Sequence, residues 1–213
     1  MRFMRLLVLR SEALLRRVAI APALFCVCFL PFGCGKNGDA GPVGPAPAVS
    51  EQAPDFTLRD LQGNEAHLSD IVKEKPALLV FFATWCSACV DEVPELNALQ
   101  KELGDPSTSA QGRPEHGRTG DKAAILAIDP EESKGEVARF AAKHKISYRI
   151  LLDTDGAVFR RYAIEGVPTL FIVDRDGRIY HVTHVARDAK RKLIELLATA
   201  KAQRAQRTAI PMR

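Results

Sequence analysis

The hydrophobic and polar positions of this chain fall into short blocks whose periods change along the sequence. Phe56 and Leu58 alternate with polar neighbours, Gln62-Gly63-Asn64 reads as a turn, and Ala66-His67-Leu68 returns as a second short strand. That pattern predicts a β-hairpin opened by Ala53-Pro54-Asp55-Phe56. Ser69-Asp70 predicts the cap of a short helix that runs through Lys73 and is broken by Pro76. Ala77 to Phe82 is apolar at every position, as a strand covered on both faces should be. A helix beginning near Val90 carries Val93, Leu96 and Leu99 on its buried side and runs to Leu103, with Pro94 inside it. Asp105 to Asp121 shows no apolar period and predicts a long surface loop.

The second half alternates in the same way. Ala123 to Ile128 predicts a strand, and Ser133 caps a helix that carries Val137, Phe140 and Ala141 to about Lys145. Ile150-Leu151-Leu152 is a short strand, and Ala157 to Tyr162 makes a turn or two of helix. Val167 to Val173 is a strand opened by Pro168, and Asp174-Arg175-Asp176-Gly177 is a hairpin turn in which Gly177 takes positive φ. Arg178 to Thr183 is its partner strand. Ala189 to Ala200 closes the chain as a helix with Leu193, Ile194 and Leu197 inward. The order ββαβαβαβαββα predicts one mixed α/β domain over residues 51–203, large enough to bury about 70% of its chain surface.

Residues 1–50 do not belong to that body. Arg2, Arg5, Arg10, Arg16 and Arg17 precede an apolar run from Val18 to Phe32 that is broken by Pro22 and Pro31. The run is short against the ~20 residues of a membrane span and suits the apolar core of a secretory signal. It ends in Gly33-Cys34, which resembles a bacterial lipoprotein signal, where the cysteine is acylated and becomes the new N-terminus. Residues 1–33 then read as the signal. An uncleaved N-terminal anchor and ordinary cleavage further on are the alternatives, and the main readings all place the body outside the cytoplasm. Residues 34–50, rich in Gly, Pro and Ala, predict a disordered linker that holds the body off the membrane, and residues 204–213 a tail.

Charge changes the picture little. The chain of 213 residues carries a formal +4, and the five Arg and one Glu of residues 1–33 account for all of it. The rest is balanced, which gives no reason to expect a nucleic-acid partner. The basic cluster near the C-terminus (Lys190, Arg191, Lys192, Lys201, Arg204, Arg207, Arg213) reads as a solvated helix face.

The chemistry lies in Trp85-Cys86-Ser87-Ala88-Cys89, between the doubly apolar strand and the helix that follows. A thiol at a helix mouth meets unpaired backbone N–H groups and the positive end of the helix dipole, both of which favour its thiolate. A second thiol one helical turn on can close a small disulfide ring. Half of a structural zinc site is the competing reading, but such a site needs four ligands. The other cysteines, Cys26, Cys28 and Cys34, lie in or at the end of the leader.

With Gly166-Val167-Pro168-Thr169 and the Ala-Pro-Asp-Phe opening, these residues resemble the membrane-anchored thioredoxin-like reductases of the TlpA/ResA type over about residues 51–200. The resemblance implies a thioredoxin fold with a hairpin extension and an extra strand–helix insertion, and a cis Val167-Pro168 bond beside the cysteines. It implies that Cys86 attacks a substrate disulfide and that Cys89 resolves the mixed disulfide. Trp85, Val167 and Pro168 would shape the surface that takes the substrate. Thioredoxins proper carry a buried Asp six residues before the first cysteine, where this chain has Val80; the family has a Glu three residues after the second, and Glu92 stands there. Glu92 would take up the Cys89 proton, against the alternative of a solvated helix residue, with Asp91 a weaker candidate. The implied partners are protein disulfides, for example in cytochrome c maturation, a membrane thiol donor and, through the lipid on Cys34, the membrane surface. No cofactor is implied beyond the disulfide, and the chain is expected to be a monomer.

Two other classes compete. A peroxiredoxin shares the fold and the opening motif, but Thr84 stands two residues before Cys86 rather than three and the upstream Pro is absent. A copper carrier would recruit His181 or His184, yet their odd spacing in a strand puts them on opposite faces, as ordinary strand and surface histidines, with no metal site expected.

Overall fold

The computed structural model describes residues 45–103 and 123–208. The leader with Cys34, most of the linker, the Asp105–Asp121 loop and the end of the tail lie outside the described residues. Two antiparallel strands, β1 (Thr57–Asp60) and β2 (Glu65–His67), lead into a short helix α1 (Leu68–Glu74) and the strand β3 (Ala77–Phe81). Helix α2 (Ser87–Leu103) follows, then β4 (Ala124–Pro130), α3 (Lys134–Lys143), β5 (Arg149–Asp153) and the one-turn α4 (Ala157–Arg161). The chain ends on β6 (Thr169–Val173), β7 (Ile179–Thr183) and the long helix α5 (Ala186–Thr208). These strands form one seven-stranded sheet in the order β2-β1-β5-β4-β3-β6-β7. β3, β4 and β5 run parallel, and β6 joins β3 antiparallel.

The burial of β3 explains why the sheet sits where it does. All five of its residues are buried. Leu78 and Val80 face a cluster formed with Leu96 and Leu99 of α2, Val137 and Phe140 of α3 and Leu193 of α5. Ala77, Leu79 and Phe81 face the other cluster, with Phe56, Leu68 and Val72 from the N-terminal segment and Val158 and Tyr162 from around α4. Covering each face removes apolar area worth roughly 25 cal/mol per Å². An uninterrupted apolar run is the sequence that such a position requires.

Three expectations are corrected by the structure. Helix α1 begins at Leu68, so Ser69 and Asp70 lie in its first turn, and its N-cap His67 makes no capping bond. The Ser69 N–H of the first turn goes to Asp55 instead, whose Oδ1 accepts it at 2.9 Å and also accepts the N–H of Phe56 at 2.9 Å. Helix α2 begins at Ser87 rather than near Val90. Its first turn was hidden from an apolar-period reading because Ser87 and Ala88 are exposed. Ile194 does not face inward: it is 47% exposed. The buried stripe of α5 is Ala186, Ala189 and Leu193, spaced three and four apart, and Ile194 falls beside it. At Ser133, by contrast, the expected cap forms, as a reciprocal capping box with Glu136.

The stripe makes a discriminating prediction. Leu193→Ala should destabilise the oxidised chain by about 2–5 kcal/mol and Ile194→Ala by less than about 1 kcal/mol in urea unfolding, because only the first leaves a cavity. Equal losses would contradict this helix register.

Candidate active site

The sheet register brings three segments to one edge. Phe81, the last residue of β3, pairs with Ile128 near the end of β4 and with Thr169 at the start of β6. The turn after β3, the loop after β4 and the loop before β6 therefore emerge side by side. The first of these carries the cysteines. Ala83 accepts from the Cys86 N–H at 3.2 Å, which closes a tight turn, and Cys86 accepts from Val90 N–H at 3.3 Å, which starts α2. Cys86 thus stands at the N-terminus of the helix and Cys89 in its first turn. The two are joined in a disulfide with Cα atoms 5.3 Å apart. Both are buried, at 7% and 5% exposure, in the apolar cluster that also holds Val80. No carboxylate occupies the Val80 position; its side chain is hydrocarbon against the sulfurs' own cluster.

Around the disulfide the polar contacts are few. The Cys89 N–H donates to Cys86 Sγ at 3.0 Å, the contact by which a helix N-terminus stabilises negative charge on that sulfur once the bond is reduced. From the opposite side comes the loop before β6. Its Val167-Pro168 bond is cis, and Cys86 Sγ lies 3.5 Å from the Val167 carbonyl oxygen. Trp85, next to Cys86 in the chain, is 75% exposed, so it is not a packed core aromatic. Of the sequence-expected residues, Trp85, Cys86, Cys89, Val167 and Pro168 converge here, and Cys34 lies outside the described residues.

Glu92 makes a contact that its position in the sequence did not reveal. Its half-buried carboxylate reaches across to α5, where Oε2 accepts from the Ala186 N–H at 2.6 Å. It caps an orphan donor of the C-terminal helix and so ties the redox helix to the end of the β6–β7 hairpin. The same corner carries His184, whose Nδ1 lies 2.9 Å from the Pro168 carbonyl and 3.2 Å from Thr169 Oγ1. Thr169 Oγ1 gives its own proton to the Gly166 carbonyl at 2.6 Å, so His184 Nδ1 must be the protonated nitrogen of the ring and donate to both. His181 is paired separately, with Asp188 at 2.7 Å.

Sequence reading missed Asp129, Glu132, Thr84 and the pinning role of His184. A carboxylate at the end of an otherwise apolar strand, Ile128-Asp129, was the available signal for the first.

A Redoxin family model matches residues 48–197. The chain belongs to the Redoxin family. Among curated proteins it is 33% identical over 150 residues to the thioredoxin-like protein YneN of Bacillus subtilis, covering 69% of this chain and 77% of that one. It is 34% identical over 134 residues to the thiol-disulfide oxidoreductase ResA of Geobacillus thermodenitrificans, covering 63% and 68%. The thioredoxin domain of a thiol-disulfide oxidoreductase from Bacteroides vulgatus superposes with a TM-score of 0.56 at 22% identity, over 71% of this chain and 96% of that one, a likeness of fold. The chain has the thioredoxin fold and is a thiol-disulfide oxidoreductase of the ResA type.

The Glu92 bridge has a measurable consequence. Glu92→Ala should cost about 1–2 kcal/mol in urea unfolding of the oxidised chain, and Glu92→Gln, which keeps an acceptor oxygen for Ala186, less than half of that. Equal losses would contradict the capping role.

Proposed function

We propose that this chain reduces protein disulfides outside the cytoplasm, through the Cys86–Cys89 pair and without a further cofactor. The observation that carries the reading is the placement of a closed Cys86–Cys89 bond at a helix N-terminus, facing the Val167 carbonyl and flanked by an exposed Trp85. In the reduced protein the Cys86 thiolate attacks one sulfur of a client disulfide and expels the other. A mixed disulfide forms between Cys86 and the client. Cys89, on losing its proton, attacks Cys86 Sγ, and the client leaves with both its sulfurs reduced. The client gains two electrons, and the protein is left with the Cys86–Cys89 bond.

Glu92 lies one helical turn from Cys89 and is the proposed acceptor of its proton, while its other duty to α5 keeps it in place. Val167 offers backbone to an extended client, and Pro168, whose carbonyl His184 holds, fixes the loop beside it. Trp85 and Val185 supply apolar contact: Val185 is 48% exposed and follows His184, which holds the Pro168 carbonyl. A surface of this kind suits protein clients, such as the haem-binding cysteines of apocytochrome c, and a membrane thiol protein would return the electrons. The basic and then apolar leader ending in Gly33-Cys34 supports a lipid anchor on the periplasmic face, and the proposed form there is a monomer. Among the described residues no helix is long and apolar enough to cross a membrane.

The test is insulin-disulfide reduction by the reduced chain. Cys86→Ser should fall to background, and Cys89→Ser should accumulate a mixed disulfide through Cys86. Turnover that survives Cys86→Ser would refute the assignment. Glu92→Gln should slow turnover by on the order of tenfold to a hundredfold and flatten its pH profile. An unchanged profile would remove Glu92 from the proton path.

A further inference from the structure

Behind the redox turn lies a pair of acids that the exchange reaction, as derived above, does not use. Asp129 near the end of β4 is 1% exposed, and no donor reaches either of its carboxyl oxygens. Its polar neighbour is another carboxyl group, Glu132, in the loop before α3. Two carboxyl groups bond to each other only when one of them carries a proton. Glu132 is already engaged on its far side. It accepts from the Thr84 N–H at 2.8 Å and from Thr84 Oγ1 at 2.5 Å. Thr84 is the second residue of the Ala83–Cys86 turn, between the buried Ala83 and the exposed Trp85.

We propose that Asp129 and Glu132 share one proton and act as a single positioning unit, which through Thr84 holds the turn that presents Trp85 and Cys86. Glu132 supplies the hold as an anion with two acceptor contacts on one residue. Asp129 supplies the proton that lets a second carboxyl group lie beside that anion in a buried site. Neither touches the reacting sulfur, so both are positioning residues. The proposal takes Cys86 as the nucleophile of the function proposed above, but its structural test needs no client.

The electrostatics agree with this division. Burial pushes the Asp129 carboxyl up to about 9, and the neighbouring carboxylates Glu132, Glu136 and Asp153 push in the same direction. Burial would also raise Glu132, but its bonds to Asp129 and Thr84 outweigh that and hold it below the usual range. Asp129 is then the protonated partner at neutral pH. An unfolded chain releases that proton near 3.8, the ordinary value, and the folded chain keeps it to about 9. Between those limits the folded state binds more protons, so the contribution of this group to stability falls as pH rises. Above about 9, two adjacent carboxylates must separate, and the hold on Thr84 goes with them.

Trp85 is the single tryptophan of the chain and lies next to Thr84. In the oxidised full-length protein the redox cysteines cannot titrate, so Trp85 fluorescence between pH 6 and 10, excited at 295 nm, follows the turn with no thiolate forming beside it. The wild-type chain should show a transition with its midpoint near pH 9. Asp129→Asn, whose amide still donates to Glu132 but has no proton to lose, should abolish it and flatten the fall of thermal stability from pH 5 to 9. Glu132→Gln should move the midpoint lower, and in insulin reduction at pH 7 it should slow the chain about tenfold, against less than threefold for Asp129→Asn. A wild-type chain without the transition, or an Asp129→Asn chain with the same midpoint, overturns the proposal. A transition that behaves as stated in a chain without reductase activity supports the positioning unit and sinks the functional reading instead.

Discussion

Two-sided burial of β3 is the constraint on which this molecule is built. A strand with no exposed face can leave the sheet only at its ends, and here its C-terminal end opens into the turn that carries Cys86. The parallel neighbour β4 and the antiparallel neighbour β6 are in register with that end, at Ile128 and Thr169. Their adjoining loops must meet the cysteine turn whatever their own sequences are. The apolar core therefore does more than stabilise the domain. It decides which backbone, Val167-Pro168, and which acid, Asp129, are brought to the redox edge.

At that edge the disulfide is held from several directions by groups with other duties. The α2 N-terminus supplies the Cys89 N–H to Cys86 Sγ. Glu92 ties α2 to the start of α5, and one turn of chain away His184 holds the Pro168 carbonyl. Glu132 holds Thr84 from the side of β4. The redox turn, the cis-proline loop and the C-terminal helix are in this way linked through hydrogen bonds rather than through bulk packing alone. The sulfurs themselves stay in an apolar cluster, which makes the few polar contacts they have electrostatically strong.

Much of this was legible in the chain before any coordinates, because apolar period and cysteine spacing are local signals. The doubly apolar 77–82 run, the Ser133 cap and the Gly177 turn are each determined by a few adjacent residues, and each appears where its chemistry requires. The start of α2 at Ser87 was not legible, since Ser87 and Ala88 are exposed and do not mark the period. The inward place of Ile194 was misjudged because Leu193 and Leu197 alone do not fix which way the stripe leans. The Thr84–Glu132 and Glu92–Ala186 bonds span 48 and 94 residues of sequence between partners. Only the sheet register joins such residues, and no spacing rule within one chain reveals them. Position 129 shows the difference well. In sequence it is an acid after a strand; in the fold it is a carboxyl group that no donor reaches.

The claim that this dithiol gives electrons rather than takes them stands on the stability of its closed form relative to its open one. The most direct measurement is the equilibrium reduction potential of Cys86–Cys89 in the full chain against a glutathione or dithiothreitol buffer. A reductase requires a value near the ≈ −270 mV of thioredoxin. A value near the ≈ −120 mV of a strong protein oxidant would reverse the direction of electron flow and contradict the account.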